Sequence, residues 1–202
     1  MTTRDTLTLT EHAYLAAATR DDQAEVARLG ALIDAEQATA KERLYGPGAL
    51  LNAALWYATT LGLPVFPCTP GEKRPAVAHG FKDATTDVEQ IRKWWKVCPD
   101  YNIGTPTGVL FDVFDADGPE GVIAIGEYMD TGGFPDVLAK ALTPRGRHYY
   151  VPVTGEGNKA GLLPKVDYRG AGGYVIAPPS ITPTGKYWWA TPLTPDMTRR
   201  AA

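Results

Sequence analysis

The stretch Leu110–Glu120 reads LFDVFDADGPE. Three aspartates stand inside an apolar run, and that combination leaves few folds open. An ionised carboxylate in an interior has to be hydrated, hydrogen-bonded or set against a cation. A strand resolves the conflict, because successive side chains of a strand point to opposite faces. Val109, Phe111, Val113, Asp115 and Asp117 then share one face, and Leu110, Asp112, Phe114 and Ala116 the other. Asp115 and Asp117 point the same way at the strand end, with Cα atoms about 6.5 to 7 Å apart. Two carboxylates so placed can reach a shared divalent cation or a pair of cations; spacing alone equally allows them to cap the helix that Gly118-Pro119 announces. Asp112, on the opposite face, is expected to accept hydrogen bonds from a neighbouring loop.

The rest of the chain supplies the sheet this strand needs. Thr10 to Leu44 is rich in Ala, Glu, Arg and Leu without internal proline, which predicts one or two amphipathic helices. The YGPG turn at Tyr45–Gly48 ends that segment, and a further helix is expected over Ala49–Thr60. From Pro64 onward short Val/Ile/Tyr/Phe runs alternate with Pro/Gly turns. Strands are predicted at Val65–Cys68, Val109–Asp117, Lys140–Thr143, His148–Val153, Lys165–Tyr168, Tyr174–Ala177 and Tyr187–Trp189. A helix is predicted over Val88–Trp95, capped by Asp87 with Ile91, Trp94 and Trp95 on its apolar side, and another from Pro119. The fold class is α+β: an N-terminal helical extension over 1–48 and a mixed-sheet domain over 49–195.

Charge narrows the partners. A net charge of −3 over 202 residues provides no global basic field, so any polyanion site must be a local patch. Two cysteines, Cys68 and Cys98, cannot make a disulfide framework, and His12, His79 and His148 have no zinc-ligand spacing, so no zinc is expected. A reduced, cytoplasmic setting is the simplest expectation. The N-terminus lacks an apolar signal core, and no run approaches the roughly 20 apolar residues of a membrane span. No membrane partner is expected.

Cationic side chains cluster at glycine turns. TPRGRHYYVPV, Thr143–Val153, places Arg145, Arg147 and His148 at one turn, a compact anion site suited to phosphate. His148 taken by itself reads as structural or catalytic. VDYRGAGGYVIAPPS puts Asp167 and Arg169 on one strand face, followed by glycines that let backbone approach a ligand. That pair could also be an ordinary surface ion pair on a hairpin. PGEKRP offers Lys73 and Arg74 on a loop, as a solvated tip or a phosphate contact. Acids that can hold divalent metal, with cations distributed between them, are the combination that phosphoryl transfer uses.

The order of these motifs resembles the primase–polymerase (prim-pol) domains of the archaeo-eukaryotic primase superfamily. The resemblance runs from about Ala54 to Trp189 and rests on five stretches in the family's order: YATTLGLPVFPCTPGEKRP, GFKDATTDVEQIRKWWKVCPDYNIGTPTG, FDVFDADGPEG, TPRGRHYYV and VDYRGAGGYVIAPPS. It implies an RRM-like mixed sheet carrying the catalytic acids. Asp115, Asp117 and Asp167 would be ligands of a two-metal Mg²⁺ or Mn²⁺ site, and His148 would lie near the incoming nucleotide's phosphates. Gly146 stands where the family commonly has serine. Arg169 and Ser180, and less directly Lys73, resemble positions lining the nucleotide pocket. The implied activity is DNA primase/polymerase, a template-directed nucleotidyl transfer. Its implied partners are a single-stranded DNA template, a primer and dNTP or NTP, and, since larger relatives carry them, a helical accessory subunit or helicase. A non-catalytic nucleotide- or single-strand-binding module is the competing expectation.

Overall fold

The computed structural model describes residues 46–197 and, before them, 23–25, 27–29 and 31–32. The chain separates into two compact units, Met1–Pro47 and Gly48–Ala202. In the first, residues 23–25, 27–29 and 31–32 are helical, and Arg28 pairs with Glu25 at 2.7 Å. The remainder of the helical stretch expected over Thr10–Leu44 lies outside the described residues.

The second unit is mixed α+β with antiparallel sheets. Helix α1 (Ala49–Thr60) is built from good helix formers and follows Gly48, whose φ of 78° only glycine adopts readily. It buries Ala54, Tyr57 and Ala58. Strand β1 (Phe66–Cys68) follows Pro64, and a short 3-10 turn spans Gly80–Asp83. Helix α2 (Val88–Val97) starts at Asp87, whose carboxylate accepts from the Glu89 and Gln90 amides at 2.9 and 3.4 Å, the cap its sequence promises. Ile91 and Trp95, one turn apart, face the core, with Trp94 packed partly against it.

Strand β2 (Asn102–Pro106) is fully buried, and the sequence reading missed it because its Gly and Pro look like a loop. Gly104 is required there: a Cβ would lie 2.3 Å from the Phe66 ring of the paired strand. Strands β3 (Asp112–Asp117), β4 (Ala139–Leu142), β5 (Gly146–Val151), β6 (Lys159–Leu163), β7 (Val166–Arg169), β8 (Tyr174–Ala177), β9 (Ile181–Thr182), β10 (Gly185–Lys186) and β11 (Trp188–Thr191) follow, with helix α3 (Gly118–Asp130) after β3. β1-β2-β8 form one sheet, β11-β4-β5-β3-β7-β6 a second, and β9–β10 a small hairpin.

Several boundaries move for local reasons. β3 begins at Asp112 rather than Val109, because Gly108 turns at φ 76° and its amide donates to the Phe111 carbonyl at 2.9 Å. β5 starts at Gly146 and stops before Pro152, which lacks an N–H for the ladder. β7 starts after Lys165, which is left-handed at φ 57°. α3 begins one residue before Pro119, placing the proline in its first turn.

The large sheet has two distinct faces. Val113, Tyr150, Ala139 and Ala141 pack with α1, α2, Ile103 and Val175 on one side. Phe114, Ala116, Tyr149, Val151 and Val166 pack with Ala124 and Ile125 of α3 on the other. Alternation along β3 therefore decides what each aspartate meets.

Candidate active site

Antiparallel register aligns the functional side chains. Asp115 at the middle of the β5-β3-β7 ladder stands opposite His148 on one side and Asp167 on the other. Asp117 is opposite Gly146 in the next same-face pair. The row Asp167–Asp115–His148 thus crosses three strands on the face turned toward the smaller sheet, with Asp117 beyond it at the strand end.

Two clefts open on this row. One, of about 260 Å³, is lined by Lys73, Asp115, His148, Arg169, Tyr174 and Tyr187, with Gly172 and Gly173 also in its lining. The other, of about 320 Å³, is lined by Lys73, Asp117, Thr143, Arg145, Thr182 and Tyr187. Lys73 and Tyr187 border both. The Lys73 loop is held from beneath: buried Asn102 donates to the Glu72 carbonyl at 2.9 Å, and Tyr174 Oη donates to the Lys73 carbonyl at 3.2 Å. The sequence reading missed Tyr187 as a site residue, since in KYWW it is indistinguishable from core. Its ring lies 5.8 Å from that of His148.

Each acid meets a basic side chain. His148, only 3% exposed, brings Nε2 to 3.4 Å from Asp115 Oδ1, and its Nδ1 is buried without a hydrogen-bond partner. Burial pushes the Asp115 carboxyl up, but the hydrogen bond and charge of His148, with Lys73 and Arg169, outweigh it and hold the carboxyl below the usual range. Arg145 lies 3.9 Å from Asp117. Asp167 Oδ2 accepts from Arg169 at 2.7 Å and Oδ1 from the Gly161 amide at 2.9 Å. The same-face Asp167–Arg169 pair is present.

The family model described as bifunctional DNA primase/polymerase, N-terminal (Prim-Pol) matches residues 54–198. The chain belongs to the Prim-Pol family. Its general activity is nucleotidyl transfer of the primase/polymerase type. No match to the chain is found among curated proteins.

Within this Prim-Pol domain, glycine at 146 has a steric cause. A Cβ there would lie 1.9 Å from the Ala116 carbonyl oxygen and 3.1 Å from the Gly118 nitrogen, so a serine would force the backbone apart. The β4–β5 turn is drawn tightly over the end of β3 by the Gly118 amide, which donates to the Arg145 carbonyl at 2.8 Å.

Two expected nucleotide contacts are placed elsewhere. Arg147 pairs with Ala116 and Leu142, on the opposite face of the sheet from His148, because adjacent residues of a strand cannot share a face. The compact Arg145–Arg147–His148 anion site is therefore split by the sheet. Ser180 is fully buried, its Oγ accepts from the Ile103 amide at 2.9 Å and its carbonyl from the Tyr187 amide at 2.9 Å, so it supports the Tyr187 wall from behind and lines neither cleft itself. Asp112 behaves as its parity predicts. It is buried and accepts from the Thr154 amide at 2.8 Å, from Thr154 Oγ1 at 3.1 Å and from Tyr168 Oη at 2.5 Å.

A hard divalent cation takes oxygen ligands. Asp115 and Asp117 supply carboxylates two residues apart on one face, open to the two clefts, and so fit that chemistry. Asp167 joins them on the sheet face with both oxygens occupied by protein donors. Among the described residues no three His, Cys, Asp or Glu side chains converge as a ready-made cage. Also among the described residues, no helix is long and apolar enough to cross a membrane.

Proposed function

We propose that this chain is the catalytic domain of a DNA primase/polymerase with an RRM-like primase sheet, extending a 3′-hydroxyl by one (d)NTP at a time on a single-stranded DNA template. The hydroxyl oxygen bonds to the α-phosphorus, the bond from that phosphorus to the β-phosphate breaks, pyrophosphate leaves, and the hydroxyl proton passes to solvent. The observation that supports this reading best is the row Asp167–Asp115–His148, in register on one face with Asp117 beside it.

Asp115 and Asp117 would hold Mg²⁺ or Mn²⁺, with Asp167 completing the two-metal set once Arg169 yields its carboxylate. Such ions would lower the hydroxyl pKa and neutralise the triphosphate. The chain's own side chains do the rest. Lys73, Arg145 and Arg169 donate to phosphate oxygens from three sides of the joined clefts. His148, fixed between the Tyr150 and Tyr187 rings, donates from Nε2 to Asp115 in the resting site and to a phosphate oxygen when nucleotide enters. Tyr187 forms the wall that the two clefts share. A helicase or helical accessory subunit is the expected partner for template grip.

A second reading, a nucleotide- or single-strand-binding module, draws on the occupied oxygens of Asp167. Incubation with primed and unprimed single-stranded template, labelled dNTPs or NTPs, and Mg²⁺ or Mn²⁺ decides between them. Metal-dependent extension supports the catalytic reading, and products without primer add priming. Nucleotide binding without any incorporation favours the module.

A further inference from the structure

The sheet end away from α3 is charged in a way the net charge hides. Between Asp136 and Glu156, and again between Asp167 and Asp196, there is no acidic residue, while these stretches carry Lys140, Arg145, Arg147, Arg169 and Lys186. A chain of net charge −3 thus places positive charge on β4 (Lys140), the β4–β5 turn (Arg145), β5 (Arg147) and β10 (Lys186), with Arg169 on β7.

Register shows where those cations go. On the α3-side face, Trp188 of β11 pairs with Leu142 of β4, and Leu142 pairs with Arg147 of β5. α3 packs mainly on β3, β5, β6 and β7, which leaves the β4 and β11 end of this face less covered. Trp188 is 36% and Leu142 39% exposed, and Arg147 is exposed with no ion pair among the described residues. Lys186 Nζ lies 5.9 Å from the centroid of the Trp188 ring, and Lys140 Nζ stands the same distance from that of Tyr149 in the next row. The row reaches the candidate active site around the β4–β5 turn, where Arg145 faces Asp117 and where a Cβ on Gly185 of β10 would lie 3.4 Å from Pro144.

We propose that Trp188, Leu142 and Arg147, flanked by Lys140 and Lys186, form a contact surface for single-stranded nucleic acid leading away from the active site. A broad apolar ring stacks on any base, and cations spaced along the same row meet the phosphates between bases. The charge segregation commits the surface to a polyanion: a neutral apolar partner would gain nothing from Lys186 beside Trp188 and from Lys140 and Arg147 farther along the same face. The assignment rests on the proposed function for its role, but not for its chemistry.

The test uses the full chain and labelled dT20 and rU20 oligonucleotides, followed by fluorescence anisotropy over a salt series. W188A should weaken oligonucleotide binding on the order of tenfold or more, with W188F restoring most of it. R147Q should lower the slope of log K against log salt by about 0.7, the contribution of one single-strand phosphate contact. Affinity of W188A for a fluorescent dNTP with Mn²⁺ and no oligonucleotide should match that of the parent chain. Unchanged oligonucleotide affinity and salt slope in both variants would overturn the surface, as would a parent chain that self-associates through Trp188 while W188A binds dT20 equally well. Oligonucleotide binding that depends on Trp188 in a protein showing no metal-dependent incorporation would support the surface and sink the polymerase reading. Incorporation that persists with oligonucleotide binding indifferent to Trp188 would do the reverse.

Discussion

Asp112 and Asp115 lie three residues apart on one strand and live in different solvents. Asp112 has no exposure and is met by neutral donors, the Thr154 amide and hydroxyl and the Tyr168 hydroxyl. Asp115 keeps 17% side-chain exposure at a cleft and is met by charge, His148 at 3.4 Å with Lys73 and Arg169 beyond. Fixed neutral donors lock a carboxylate into the fold, since removing either partner leaves buried polar groups bare. Cationic side chains at a cleft mouth can be exchanged for a metal ion or turned toward phosphate. One strand therefore carries a structural acid and a chemical acid, separated only by parity.

The sharpest break of that comparison is D115A/D117A. Metal-dependent nucleotide incorporation should fall by roughly 10³-fold or more, the scale of removing a group that acts at the transition state. Far-UV circular dichroism should stay that of the parent, because neither side chain holds core. Incorporation near the parent rate would remove Asp115 and Asp117 from the chemistry.

D112A should show the opposite profile. It strips the acceptor from three donors and should cost about 3 kcal/mol of stability. For a domain of this size that is a melting temperature lower by roughly 6 to 12 °C. Residual activity per folded molecule, measured well below that melt, should remain within a few-fold of the parent. A melt within a degree of the parent would mean that Asp112 is not the lock its contacts imply.

How far the sequence foretells this division can be argued residue by residue. Parity along LFDVFDADGPE separates Asp112 from Asp115 and Asp117 with no other information, because strand alternation is purely local. The Asp87 cap and the α2 apolar side are legible for the same reason. The sequence does not reveal β2, since Asn102–Pro106 is strand only because Phe66 and Tyr174 lie on either side of it. Nor does it reveal Tyr187, which becomes a site residue through a pairing that brings the β10–β11 segment beside His148. Arg147 shows the cost of reading a turn as a cluster: proximity in sequence put it with His148, and the pleat put it on the other face. Gly146 is the converse, a residue whose reason appears only when the Ala116 carbonyl is found in the space a side chain would need.

A smaller perturbation tests the charged half of the comparison. In metal-free protein His148 holds the Asp115 carboxyl below the ordinary carboxylate range against the opposing effect of burial. H148A leaves burial with less opposition, so the Asp115 pKa should rise. The sign for stability follows: a depressed carboxyl stabilises the fold above the unfolded pKa near 3.9, and that contribution is lost as pH falls through the lower folded value. H148A should therefore lose stability at a higher pH than the parent on acidification. Carbon-13 carboxyl titration of Asp115 by NMR reads the shift directly, and an unmoved or lowered pKa would show that His148 is not what holds it down.

The gentlest change acts on the neutral half. Y168F deletes one hydroxyl and leaves the ring packed against Phe114, 5.1 Å away, so near neutral pH it should cost about 2 kcal/mol, the hydrogen bond to a buried carboxylate together with the contact to Thr154 Oγ1. Alkaline pH separates this from a packing defect. Burial, and then the hydrogen bond to Asp112, push the Tyr168 hydroxyl up to about 12. A group raised in the folded state gives its full stabilisation below the unfolded pKa, about 10 for tyrosine, and loses it as pH rises through the folded value. Phenylalanine has no proton to lose. The gap between parent and Y168F in urea unfolding should therefore hold its full width up to about pH 9 and narrow as pH rises past about 10 toward the folded value, with Tyr150 and Tyr187 contributing the same background to both proteins. A gap independent of pH would mean that the Tyr168 hydroxyl is not donating to Asp112, and the contrast between the two aspartates would then rest on Thr154 alone.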